Sequence, residues 1–132
     1  MIFAVVAFIT IVLGLITHLH GFGLRAPARD IVGDALWAAM IFWLSALIAP
    51  HASAVARASV AVAVCLGVEL SQLIQHPALT AVRSSTLGHL VIGSDFDARD
   101  LLAYLAGIAG ALILERSVLR RRQRLIPSRI VR

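Results

Sequence analysis

Apolar residues in this chain come in long unbroken runs, with no strand-like alternation. Residues 1–19 carry no charge, and Thr10, Thr17 and His18 are their only clearly polar side chains. At about 1.5 Å per residue in a helix, a run of that length crosses a hydrocarbon layer of roughly 30 Å. A second run, 31–49, holds a single charge, Asp34. A third, 54–75, has Arg57 near its start and Glu69 near its end. The fourth, 100–117, has a short uncharged stretch, 101–114, so it tilts little or uses Asp100 and Glu115 at its ends. The pattern predicts an all-α integral membrane protein, a bundle of four transmembrane helices. Residues 21–30 form a short loop rich in Gly, Pro and Arg, and 50–53 a tight turn. Residues 76–99 form the longest connection, whose apolar part, 86–92, is expected to lie in the membrane interface or dip inward.

Composition sharpens this picture. Of 132 residues 60% are hydrophobic and 14% charged, where globular domains carry roughly 25% charged residues. A water-soluble domain of this size has nowhere to hide so much apolar surface, whereas lipid is itself apolar. The sequence reads as one domain, 1–132, with no spare length for a soluble catalytic module. The formal charge of +5 raises nucleic acid as a partner, but the distribution argues against it. All twelve basic residues are Arg, and seven lie between Arg116 and Arg132, directly after an apolar run. That is the form of a cytoplasmic flank that binds anionic lipid. With four spans, the tail and Arg57 share a side holding eight Arg, against four (Arg25, Arg29, Arg83 and Arg99) on the other. The positive-inside rule then predicts that both termini are cytoplasmic, with a basic tail over 118–132, in a multi-pass protein of the cell's inner (plasma) membrane. A cleaved signal peptide is the rival reading of the first run. Ala26-Pro27-Ala28 has the small-x-small form of a cleavage site, but no Lys or Arg precedes the run and the run is too long. The one cysteine, Cys65, reads as a small hydrophobe.

The carboxylates are sorted opposite to the arginines. Asp30, Asp34, Glu69, Asp95, Asp97 and Asp100 fall toward the outer side, and only Glu115 falls inside. Asp34 and Glu69 are expected one to two turns within the membrane, where a carboxylate costs roughly 2.5–3.5 kcal/mol on insertion scales unless it has a partner or a wet cavity. Helical spacing gives each span one polar face. Asp30, Asp34 and Trp37 follow i, i+4, i+7; Glu69, Gln72 and His76 follow i, i+3, i+7; Asp97, Asp100, Tyr104 and Gly107 follow i, i+3, i+7, i+10. The simplest packing turns these faces toward one another. The result is an acid-rich pocket in the outer leaflet, with Arg83 pairing Glu69 and Arg25 or Arg29 adding counter-charge. The bland alternative is that the same groups only fasten helices together.

Other signals carry less. Gly107 with Ala111, and Gly67 with Ser71, fit small-xxx-small helix packing, and Thr10, Gly14 and Thr17 give the first span a small polar stripe. His18, His20, His76 and His89 lie near the acids, but their spacing fits no standard zinc site, so neither metal nor cofactor is expected. No nucleophile elbow, phosphate loop or zinc-protease helix is present, so no catalytic motif marks the chain as an enzyme.

Several short stretches in combination are distinctive: Gly23-Leu24-Arg25, Gly33-Asp34-Ala35-Leu36-Trp37, Glu69-Leu70-Ser71-Gln72-Leu73, Arg83, Leu87-Gly88, Leu90 through Phe96, and Asp100-Leu101-Leu102-Ala103-Tyr104 with Gly107. Over roughly residues 20–110 the chain resembles a bacterial membrane family called domain of unknown function 2809. It is more distantly similar to VanZ-like proteins, which share a Glu-x-x-Gln in one span, an Arg in the next loop and an Asp opening the last span. It differs from them at Tyr104, where they commonly have Asn, and in having Asp34 and Trp37 in place of their second-span His/Tyr pattern. The first resemblance implies an architecture and candidate ligand-binding positions: Arg25, Asp34, Trp37, Glu69, Gln72, Arg83, Asp100 and Tyr104. The leading functional expectation is a protein that binds or handles a lipid or other amphiphile by its headgroup, with membrane lipids or a lipid-linked ligand as partners and no nucleic acid. The alternatives are a small transporter or channel component, for which the inner half of the helices offers few polar groups, an enzyme on a lipid-linked substrate, and a structural assembly subunit.

Overall fold

The computed structural model describes residues 2–93 and 95–125, and every described element is helical. Helix α1 spans Ile2–His20 and leads through a 3-10 turn, Gly21–Gly23, into α2, Ala26–Ile48. A tight turn follows, then α3, Ala54–Gln72. Two short helices, α4 (Pro77–Arg83) and α5 (Thr86–Ile92), lead to the long α6, Ala98–Leu125. The central helix is α2, which packs most extensively against α6 and α1 and less against α3; α3 also touches α6.

Helices α1, α2 and α3 are long and apolar enough to cross a membrane, with mean hydropathies of 2.6, 1.9 and 1.7 over their best windows. Among the described residues α6 does not join them, with Arg99, Asp100, Glu115 and Arg116 bracketing its apolar stretch. Large apolar side chains cover the outside of all four long helices: Phe8, Ile48, Val55 and Leu102 are each more than 60% exposed. Water would penalise that surface by about 25 cal/mol per Å², whereas lipid tails would not. This is a membrane protein turned outward to lipid, and the small residues of its core (Ala38, Ala46, Ala61, Cys65, Ala103 and Ala111), beside the larger Phe42, Trp43, Tyr104 and Ile108, let backbones approach closely. A close approach between two long helices sets Gly107 of α6 directly against the backbone of Ala35 in α2, where any side chain would collide. Thr10 and Thr17, the polar stripe of α1, donate their hydroxyls to the carbonyls of Val6 and Leu13, so they turn back on their own helix.

Several boundaries differ from the sequence reading. α2 starts five residues earlier than residue 31, because Pro27 sits in its first turn, where a missing N–H costs nothing. Asp30 is therefore helical. α3 stops at Gln72, three residues short of 75, where the Arg83 guanidinium donates to the carbonyls of Ser71 in its last turn and of Ile74 just beyond it. The connection 76–99 is mostly two helices. His76 opens α4, its ring Nδ1 accepting from the Ala78 N–H at 3.3 Å. α6 continues eight residues past 117 to Leu125, since Arg is a strong helix former. Residues 126–132 of the basic tail lie outside the described residues.

Candidate functional site

The C-terminal end of α3 and the N-terminal ends of α2 and α6 meet at one end of the bundle, the acidic end. Glu69 is almost wholly enclosed, at 1% exposure. One carboxylate oxygen accepts the Asp97 backbone N–H at 3.0 Å, and the other accepts the Tyr104 hydroxyl at 3.3 Å. Asp97 precedes the first residue of α6 and caps it, its own Oδ1 accepting from the Arg99 N–H at 2.9 Å. Glu69 thus sits against the positive end of the α6 dipole and one of its free N–H groups.

That arrangement corrects the expected Glu69–Arg83 pair. Arg83 donates to the carbonyls of Ser71 at 2.5 Å and Ile74 at 3.2 Å, closing the end of α3 instead. A helix terminus satisfies the buried acid, so no cation is required. Gln72, one turn after Glu69, donates to the Ile92 carbonyl at 2.8 Å. The next residue, Gly93, has φ of +70° and lies so close to the Gln72 amide that a side chain there would be obstructed. One turn of α3 therefore holds both the end of α5 and the start of α6.

Asp34 and Asp100 lie beside this anchored turn. Both are half-buried, and their carboxyl groups stand within hydrogen-bonding reach of each other across the α2–α6 contact, with Glu69 close enough to add its field. The close fit of Gly107 on Ala35, the neighbour of Asp34, fixes that approach. The structure thus brings Asp34, Glu69, Asp100 and Tyr104 together. Trp37, half-buried one turn along from Asp34, packs on the hydrophobic core. Arg25 lies exposed at the start of α2, and Arg29 makes only a loose 3.6 Å contact with its neighbour Asp30. His18, His20 and His76 are exposed; the His89 side chain lies outside the described residues. Among the described residues, no three His, Cys, Asp or Glu side chains are placed to hold a metal ion. A shallow depression of about 500 Å³ lies along α4, lined by residues such as Gln75, Thr80 and Ser84, and none of the carboxylates lines it.

A second polar centre, at the opposite, tail end of the bundle, escaped the sequence reading. Arg57 of α3 and Glu115 of α6, 58 residues apart, form a buried ion pair, with side chains 5% and 3% exposed. The guanidinium also lies 5.3 Å from the Phe3 ring centre and 5.9 Å from that of Phe42, and faces the Pro50 carbonyl at 3.5 Å. Trp43 completes the aromatic surround, edge-on to Phe42 and stacked on Phe3. The signal that could have found the pair is its depth: one lone Arg and one lone Glu at matching levels of neighbouring spans.

No solved structure matches the chain. Residues 24–108, which run from the residue before Arg25 to the turn after Tyr104 and include every acid of the acidic end, match the family described as protein of unknown function (DUF2809), and the chain belongs to that family.

Proposed function

We propose that this protein holds the polar headgroup of a lipid or other amphiphile at the outer leaflet of the bacterial inner membrane, against the paired carboxyls of Asp34 and Asp100. In this reading α6 is a fourth span and both termini are cytoplasmic, with Arg57 and the basic tail on the inner side. The observation that carries it is the difference between neighbouring acids. Glu69 has a hydrogen-bond donor on each oxygen and needs nothing more. Asp34 and Asp100 face each other half-exposed, and among the described residues neither carboxyl has a hydrogen-bond partner other than the opposite one. Charged together at that separation they repel; sharing one proton relieves the repulsion, and so does an ammonium or hydroxyl-bearing group that contacts both carboxyls from their exposed side. Leu102 and Leu105, both exposed on α6 near Asp100, offer lipid-facing surface along which an acyl tail can lie.

The experiment is lipid analysis of the protein extracted directly into detergent-free nanodiscs. Wild-type protein should carry one amphiphile enriched over the bulk membrane, and Asp34→Asn with Asp100→Asn should lose that enrichment while expressing normally. Identical lipid profiles for wild type and variant would contradict the reading. The transporter alternative gains one observation, since Arg57 and Glu115 place buried polar groups in the half of the bundle where the sequence offered few.

A further inference from the structure

The residues that α3 buries form a single stripe: Arg57, Ala61, Cys65, Glu69 and Gln72. Only two of the five are apolar, and both are small. Most large apolar residues of α3, among them Val55, Val60, Val64, Leu66 and Leu70, point outward, while Val62 packs partly buried on the core. In a membrane that outward surface gives no preference for the docked position, because lipid contacts it equally well when the helix moves. Polar groups at the two ends therefore hold α3 in place: Arg57 on Glu115 at the tail end, and Glu69 on Asp97 and Tyr104 at the acidic end.

The two attachments are unequal. Among the described residues each end keeps two buried polar atoms without a hydrogen-bond partner, Gln72 Oε1 and Arg83 Nε at the acidic end and Arg57 Nε and Glu115 Oε2 at the tail end. But Glu69, Gln72 and the Ser71 carbonyl tie the acidic end separately to α6, α5 and α4, whereas the tail end is tied to α6 by the one ion pair. A buried ion pair left partly unsatisfied holds two helices less firmly than packed apolar groups of the same volume, and regains hydration as soon as water reaches it. The α2–α6 contact is of another kind, close backbone packing of Gly107 on Ala35. We propose that α3 is the moving helix of the bundle, pivoting on its Glu69 end and opening from the tail end when the Arg57–Glu115 pair separates. Opening uncovers the Ala61–Cys65 stripe and joins the tail end to the acidic end along one helix face. The inference stands on α3 alone; its failure would leave the headgroup reading untouched.

Cys65 is the only cysteine in the chain and lies at the middle of the stripe, 2% exposed, so it reports the opening without engineering. The test is the rate at which a water-soluble maleimide labels it in nanodiscs, set beside the rate of global unfolding followed by loss of helix signal. Wild-type labelling should outpace unfolding, the mark of a local opening. Arg57→Gln or Glu115→Gln should speed it about a hundredfold or more, and the apolar double variant Arg57→Met/Glu115→Leu should slow it about tenfold. Labelling of wild type only in step with unfolding, or at one rate in wild type and the apolar double variant, would overturn the proposal. Those two proteins decide the question even where a single variant does not fold.

Discussion

Removing one partner of the Arg57–Glu115 pair should be among the most damaging single changes available in this protein. Arg57→Gln leaves the Glu115 carboxylate buried at 3% exposure with no cation, and Glu115→Gln leaves the guanidinium among aromatic rings. A buried charge stripped of its partner costs about 3–5 kcal/mol. Thermal melting in a single detergent should therefore fall sharply for each variant. Arg57→Met with Glu115→Leu removes both charges and their desolvation, and should melt near or above the wild type. A double variant as unstable as the worse single would show that the pair contributes through shape and not through charge.

The second large effect is expected at Glu69, and it depends on the replacement. Glu69→Leu takes the acceptor from the Asp97 N–H and the Tyr104 hydroxyl together, and each buried donor left unpaired costs about 1–3 kcal/mol. Glu69→Gln keeps an acceptor for the Asp97 N–H and presents an amide that can donate to the Tyr104 oxygen, so it should melt close to wild type. Because Arg83 closes the end of α3 and does not touch Glu69, Glu69→Gln and Arg83→Gln should be additive in a double-mutant cycle. A strong coupling between them would restore the pairing that the spacing of the two residues suggested.

Much of the acidic end was legible from spacing alone. Asp34 is four residues from Asp30, Glu69 three from Gln72, and Asp100 four from Tyr104, so each helix had to turn one polar face, and placing all three at one level left convergence as the economical packing. The partners were not legible. Glu69 is held by a backbone N–H at a helix start, and a backbone group has no signature in sequence. Arg57 and Glu115 were counted for charge and sidedness, and nothing local tells that residues 58 apart face each other. α4 and α5 were hidden because seven residues are too few for a helical period to stand out from a loop. The extension of α6 was hidden by the charge of its arginines, which marks a membrane boundary but does not end a helix. Membership of the family was readable from the same residues that build the acidic end, which is where the match to residues 24–108 lies.

The most direct measurement is an experimental structure of the protein in a lipid mesophase. A headgroup should be seen between α2 and α6, with polar atoms within about 3 Å of the carboxyl groups of both Asp34 and Asp100 and with its tail along the outer face of α6. Carboxyl groups turned apart toward separate lipid-facing surfaces, with no polar group between them, would contradict a headgroup site at the acidic end.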